Sequence, residues 1–384
     1  MSPPCHWRRP VLKFGTSTLT AGAEGLSLAR LADLVEQVAA LRAAGVQPII
    51  VSSGAVAAGR QRLGGAHALP RGRKDLPFKQ VMAAIGQSRL MHLYDQIFEF
   101  HGITSAQVLL TRSDIDERQR YLNARDTLLE LCERGVVPIV NENDAVSSDE
   151  LKVGDNDTLS ALVAGLVDAD LLVLVSDIPG LYTADPAVDA GARLLPEVEA
   201  ITSQVEAYAG GSRSGLGIGG MWTKLAAARL ATAGGTEVRI VDGGEPNVVR
   251  RVLAGEQLGT RFLARTDPVE ARKRWILSGL GGAGRLTVDE GARRALLERG
   301  ASLLPAGILD VAGDFERGDP VEITGHDGSR VGRGIANYHS RDVRTIAGKH
   351  SSEIEPALGF SYGDYVIHRN NLICHAAEAG ARHA

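Results

Sequence analysis

Cysteine is scarce: only Cys5, Cys132 and Cys374 occur in 384 residues, and no two form a CxxC pair. That pattern speaks against a disulfide framework and a cysteine-rich zinc site, and scattered free thiols fit a reducing compartment. Long apolar runs are missing too. The most apolar region, residues 159–175, is interrupted by Asp168 and Asp170, whereas a membrane span needs about 20 mostly apolar residues. Residues 1–10 carry Arg8 and Arg9, but no apolar signal core follows them. A cytoplasmic protein without membrane association is the expectation. Neither sign of charge dominates: 42 Lys and Arg stand against 46 Asp and Glu, a formal net charge of −4. The overall basic character of a dedicated nucleic-acid binder is therefore absent. None of the 10 histidines stands at metal-ligand spacing with carboxylates or cysteines, which argues against a zinc enzyme.

What is present is a globular composition, with 44% hydrophobic and 23% charged residues. The 45 glycines have no collagen-like period and point to turns and close backbone approaches. The length suggests roughly two or three domains. Over the first two-thirds, short apolar runs alternate with helical periodicity. Strands are expected at 11–14, 47–51, 103–110, 136–140, 171–175 and 237–241. Helices are expected at 28–41, 78–100, 118–134, 157–167, 223–233 and 247–254. Continuous apolar strands separated by helices predict a mostly parallel sheet between helix layers. From Ala264 to Lys273 a charged stretch reads as a linker. Beyond it, runs at 275–277, 285–288, 308–312, 320–323, 330–336 and 365–367, with a helix near 290–299, predict a small β-rich second domain. The expected domains are residues 10–264 and 273–370. The GxGxxG run at 279–284 leads into a strand rather than a helix, so it reads as a turn.

Ligands of parallel sheets bind beyond the carboxyl ends of the strands, so the residues there decide the chemistry. Lys13 precedes a loop of small residues, Gly15 to Thr18. This suits phosphate binding, though a solvated lysine beside a turn would look the same. Ser52-Ser53-Gly54 is either an anion site or a helix cap. Asn141-Glu142-Asn143-Asp144 and Gly154-Asp155-Asn156-Asp157 are dense polar clusters that could orient a small zwitterion or simply form turns. Residues 215–224, glycine-rich and ending in Lys224, open a helix without matching GxxxxGK[ST]. Two clusters and a lysine after parallel strands together favour a site over separate turns.

Six segments carry a resemblance: VLKFGTSTLT (11–20), VSSGAVAAGR (51–60), NENDAV (141–146), VGDNDTLSALVA (153–164), VLVSDIPGLYTADP (173–186) and GIGGMWTKLAAA (217–228). In order and spacing they resemble the amino-acid kinase family, in particular its members that phosphorylate glutamate. RKRWI (272–276), TVDEGA (287–292) and LLPAGI (303–308) resemble a PUA domain. The resemblance implies ATP- and Mg²⁺-dependent phosphorylation of the γ-carboxylate of L-glutamate, the first step of proline synthesis, with proline as inhibitor and a dimeric or tetrameric homo-oligomer. Carried over by motif, Lys13 and Lys224 would flank the transferring phosphoryl group and Asp157 would orient them. Ser53, Asp144 and Asn156 would hold glutamate. Lys13, Ser176, Asp177 and the run Ile218, Gly219, Gly220, Met221, Trp222, Thr223 and Lys224 would contact ATP. Ile218 stands where the family has threonine, which removes a hydroxyl contact. KFGTST is also close to the KFGGTS run of aspartokinases, but a PUA-like segment replaces their paired regulatory repeats. Aspartate, acetylglutamate, carbamate or a nucleoside monophosphate are the alternative acceptors. RNA binding by the PUA-like domain, through Arg272, Lys273, Arg274, Arg285, Arg293, Arg294 and Arg299, is the alternative of a different class.

Overall fold

A computed structural model describes residues 7–64, 76–146, 156–209, 220–264 and 284–374. The chain divides into two compact units, residues 1–268 and 269–384. The linker expected at 264–273 and the run at 275–277 lie, but for Ala264, outside the described residues. No helix among the described residues is long and apolar enough to cross a membrane.

The first unit is built on an eight-stranded sheet. Its strands are β1 (Pro10–Phe14), β2 (Ile49–Ser52), β3 (Ser105–Leu110), β4 (Val137–Glu142), β5 (Leu171–Ser176), β6 (Glu197–Val198), β7 (Glu237–Asp242) and β8 (Thr260–Phe262), in the order β3-β4-β2-β1-β5-β7-β8-β6. All neighbours are parallel except β7 and β8. The helices are α1 (Thr16–Thr20), α2 (Leu28–Ala43), α3 (Ala55–Arg62), α4 (Leu76–Phe100), α5 (Arg112–Asp116), α6 (Arg118–Glu133), α7 (Asn156–Leu166), α8 (Ser203–Tyr208), α9 (Met221–Ala233) and α10 (Val248–Leu253).

Side chains alternate across the sheet, and two cores follow from that period. Val11, Val51, Val140, Leu174 and Ile240 pack with Leu159 and Val163 of α7 and Leu225 and Ala228 of α9. Leu12, Phe14, Ile50, Val173 and Val241 pack with Leu34 and Val38 of α2, Leu90 and Tyr94 of α4, and Val249 of α10. Burial on both faces explains why these strands read as continuous apolar runs.

Three details differ from the sequence reading. Gly15 to Thr18 is not an open loop. Gly15 precedes the one-turn helix α1, whose Leu19 is buried and donates its backbone N–H to Gly15 O at 3.0 Å. β4 runs on through Asn141 to Glu142, because Leu109 and Leu110 of β3 pair with both residues. Residues 365–367 do not form a strand. Val366 O accepts from Asn337 N, and Ile367 makes a single bridge to Leu303, so neither can join a ladder.

The second unit has its own five-stranded sheet. It comprises β9 (Gly284–Val288), β10 (Ile308–Gly313), β11 (Pro320–Gly325), β12 (Arg330–Ile335) and β13 (Leu372–Cys374), ordered β10-β9-β11-β12-β13. Its core includes Leu286, Val321, Ile323, Val331 and Tyr338.

Candidate active site

The strand register brings Phe14, Ser52 and Val175 into line, as it does Ser176 and Asp242. The carboxyl ends of β1, β2, β4 and β5 therefore open on one cleft of about 770 Å³, within the usual range for a small-molecule site. Lys13 shares the face of Val11 by alternation, the face covered by α7 and α9. Its ammonium meets Asp157 Oδ1 of α7 at 2.5 Å. Lys224, in the first turn of α9, donates to Asp157 Oδ2 at 3.3 Å. The Thr223 hydroxyl donates to the same oxygen at 2.8 Å. All three charged side chains are buried, Asp157 at 1% exposure. Burial works against the Asp157 carboxylate, but the adjacent Lys13 and Lys224 ammonium groups and the hydrogen bonds from Lys13 and Thr223 outweigh it. Its pKa is held below the ordinary aspartate value. The site thus has a fixed carboxylate that pins two ammonium groups, at the first turns of two helices whose dipoles favour anions.

The opposite wall is organised by a hydrogen-bonded network of neutral groups. Asn156 Nδ2 lies 2.9 Å from Ser52 O, 2.9 Å from Ser53 Oγ and 3.0 Å from Asn141 Oδ1. The turn from Ser53 into α3 needs Gly54, whose φ of +98° is unfavourable for any residue with a Cβ. Asp144 and Glu142 also line the cleft. On the far side, Ser176 Oγ donates to Asp177 Oδ1 at 3.1 Å, and both residues border the cleft.

The structure therefore brings together Lys13, Asp157, Lys224, Ser53, Asp144, Asn156, Ser176 and Asp177. Gly220 caps α9, and Met221 and Trp222 begin it. Trp222 is 58% exposed, and none of these three is among the cleft-lining residues. Ile218 and Gly219 lie outside the described residues. The sequence reading missed Arg60 of α3 and Lys79 of α4, which also line the cleft. Arg60 closes the VSSGAVAAGR segment and so was within reach. Lys79 carries no local signal.

No group of three or more His, Cys, Asp or Glu side chains among the described residues could hold a metal ion. The oxygens of Asp157 already face Lys13, Lys224 and Thr223. This donor set fits a divalent ion that arrives on polyphosphate oxygens and keeps its waters, rather than one in a protein cage.

A parallel α/β sheet with buried lysines and helix N-termini converging at its carboxyl edge defines an enzyme class that handles anionic, phosphorylated ligands. The model of the amino acid kinase family matches residues 8–242, and that of the PUA domain matches residues 284–358. A glutamate 5-kinase of Deinococcus radiodurans is 52% identical over 365 residues, covering 95% of this chain and 99% of that protein. Those of Shewanella amazonensis and Herpetosiphon aurantiacus are each 51% identical, covering 96% and 95% of this chain and 96% and 98% of theirs. The chain belongs to the amino acid kinase family, among its glutamate 5-kinases.

Proposed function

We propose that the cleft transfers the γ-phosphoryl group of ATP to the γ-carboxylate of L-glutamate, giving γ-glutamyl phosphate and ADP. The observation that carries this reading is the pair of ammonium groups, Lys13 and Lys224, held by one buried carboxylate at the cleft. A glutamate γ-carboxylate has a pKa of about 4.3, so it is already the nucleophile at neutral pH and needs no general base. The barrier is electrostatic, because an anion must approach a polyanion. Positioned cations lower it. Lys13 and Lys224 contact the phosphoryl oxygens, and Asp157, ionised and held on both sides, organises them instead of accepting a proton. Ser53, Asn156 and Asp144 hold the amino acid. Ser176, Asp177 and Lys224 contact ATP at the cleft, and the family motif extends that role to Ile218, Gly219, Gly220, Met221, Trp222 and Thr223. Mg²⁺, carried by the nucleotide, neutralises the phosphate oxygens.

Residues 10–264 perform this chemistry, and residues 273–370 form the PUA-like domain. Proline, the end product of the route this step opens, is the expected inhibitor, and a homo-oligomer is the expected assembly. The cytoplasmic assignment is supported by Cys132 and Cys374, both free thiols. RNA binding by the PUA-like domain rests on its domain type alone. The decisive experiment traps the acyl phosphate with hydroxylamine, using purified protein, Mg–ATP and L-glutamate, L-aspartate or N-acetylglutamate. Hydroxamate with glutamate alone supports the reading. A signal with another acid instead overturns the acceptor, and no signal with any of them overturns the activity.

A further inference from the structure

The acceptor wall has a fixed polarity, set by two backbone groups and braced one layer behind the cleft. Ser52 O can only accept, so the Asn156 amide must turn its NH₂ group toward the wall. The backbone N–H of Glu142 can only donate, and it donates to Asn141 Oδ1 at 2.9 Å. Asn141 therefore presents its oxygen to Glu142 and Asn156, and its NH₂ to Gln87 Oε1 at 2.8 Å. A single orientation of the three amides satisfies these backbone groups. It leaves Asn156 Oδ1 as the amide's remaining acceptor. Ser53 Oγ, 2.9 Å from the same NH₂ group, keeps its hydroxyl hydrogen to give.

Gln87 sits on α4 and is not among the residues lining the cleft. Its Nε2 is buried and without a partner among the described residues, beside a side cavity of about 320 Å³. The amide keeps this orientation because turning over would set its NH₂ against that of Asn141. Two turns further along α4, the Tyr94 hydroxyl lies 3.0 Å from Ser52 Oγ. Ser52 Oγ itself donates to Ser53 O, so Tyr94 is the donor. One face of α4 thus backs both strand ends that carry the wall.

We propose that Gln87 is a positioning residue for the acceptor amino acid. Through Asn141 it braces the amide orientation that Ser52 O and the Glu142 N–H dictate, and so keeps Asn156 and Ser53 seated, without touching substrate. The consequence is selective. The wall offers an acceptor suited to an ammonium group and a donor suited to a carboxylate, and the nucleotide side does not depend on it. This inference rests on the reading of the cleft as a glutamate site.

The test compares full-length wild type with Gln87→Leu and Gln87→Glu in the hydroxamate assay. Gln87→Leu removes the acceptor for Asn141 and raises KM for glutamate about tenfold. Its kcat and its KM for ATP stay within about twofold of wild type. Gln87→Glu keeps an oxygen facing Asn141 and restores most of the glutamate KM. An unchanged glutamate KM in Gln87→Leu overturns the proposal. So does a parallel loss in kcat and both KM values with a lowered Tm, which marks a packing role. If Gln87→Leu does not fold, Gln87→Met is read by the thermal shifts that glutamate and an ATP analogue induce. Loss of the glutamate shift alone supports the proposal, and equal shifts overturn it. A wild type inactive on glutamate overturns the functional reading, whereas an active wild type with an unshifted variant overturns only the role of Gln87.

Discussion

Lys13 and Lys224 grip the two oxygens of a single carboxylate, Lys13 on Oδ1 of Asp157 at 2.5 Å and Lys224 on Oδ2 at 3.3 Å. One lysine ends a central strand and the other begins a helix far along the chain, so neither can be moved without disturbing the other's partner. Replacement of either by methionine keeps much of the buried stem and removes the charge. Each change should lower kcat by about 10²–10³, the scale of losing one donor to a developing anion. Single-turnover phosphoryl transfer would check this. A variant within about threefold of wild type would remove that lysine from the reaction.

Asp157 gives a pH-dependent signature. Its folded-state pKa is lowered, so its contribution to stability is complete above the unfolded value of about 3.9 and is lost as pH falls through the folded value. Asp157→Asn should be less stable than wild type by about 3–5 kcal/mol near neutrality, because it leaves two buried ammonium groups without their carboxylate. That gap should stay constant from about pH 8 to 5 and narrow below about pH 4. Thermal unfolding of both proteins across this range provides the measurement, and parallel curves down to the acid limit would contradict it.

The crossing of α3 and α4 depends on Gly86. A Cβ built there would lie 1.7 Å from Ala55 O and 2.4 Å from Gly59 N, both backbone atoms. Gly86→Ala should therefore push the helices apart and cost at least about 3 kcal/mol, the upper end of ordinary overpacking. Because the same crossing sets Gln87 behind the acceptor wall, the glutamate KM should rise as well. Urea unfolding with substrate kinetics would test both, and a neutral variant would show that the helices slide without cost.

The second unit has a buried cation of its own. Arg317 lies 4.1 Å from the centroid of the Tyr362 ring and donates to Asn337 Oδ1 at 3.2 Å. Asn337 in turn donates to Tyr362 O at 2.8 Å. Arg317→Met should lower the stability of this unit by about 2 kcal/mol and leave kcat unchanged. Calorimetry with activity measured on the same sample would separate the two. A fall in kcat below the transition would tie catalysis to the C-terminal unit.

The sequence was most legible where one period governed burial. Runs such as PVLKF and LLVLVS are buried at every position, and sandwiched parallel strands produce that pattern without any contribution from the site. It was least legible at short elements whose existence depends on partners. β6 has two residues and is held by pairing to β8, and β8 has three and is held by pairing to β7 and β6. The run at 365–367 has strand composition, but its backbone groups are taken by Asn337 and Leu303.

Local pattern determined the sheet class and the two-part organisation, and the resemblance of motifs at strand and helix ends picked out Lys13, Asp157 and Lys224. Those properties follow from periodicity and from residue types at strand and helix ends, which the chain carries within a few positions. Only the tertiary structure decided that the three meet on one carboxylate, that Arg60 and Lys79 face the same cleft, and that Gln87 stands behind Asn141. A half-buried glutamine in a helix looks like any other in sequence. Its role emerges once a backbone carbonyl from one strand and a backbone N–H from another dictate which way each amide must turn.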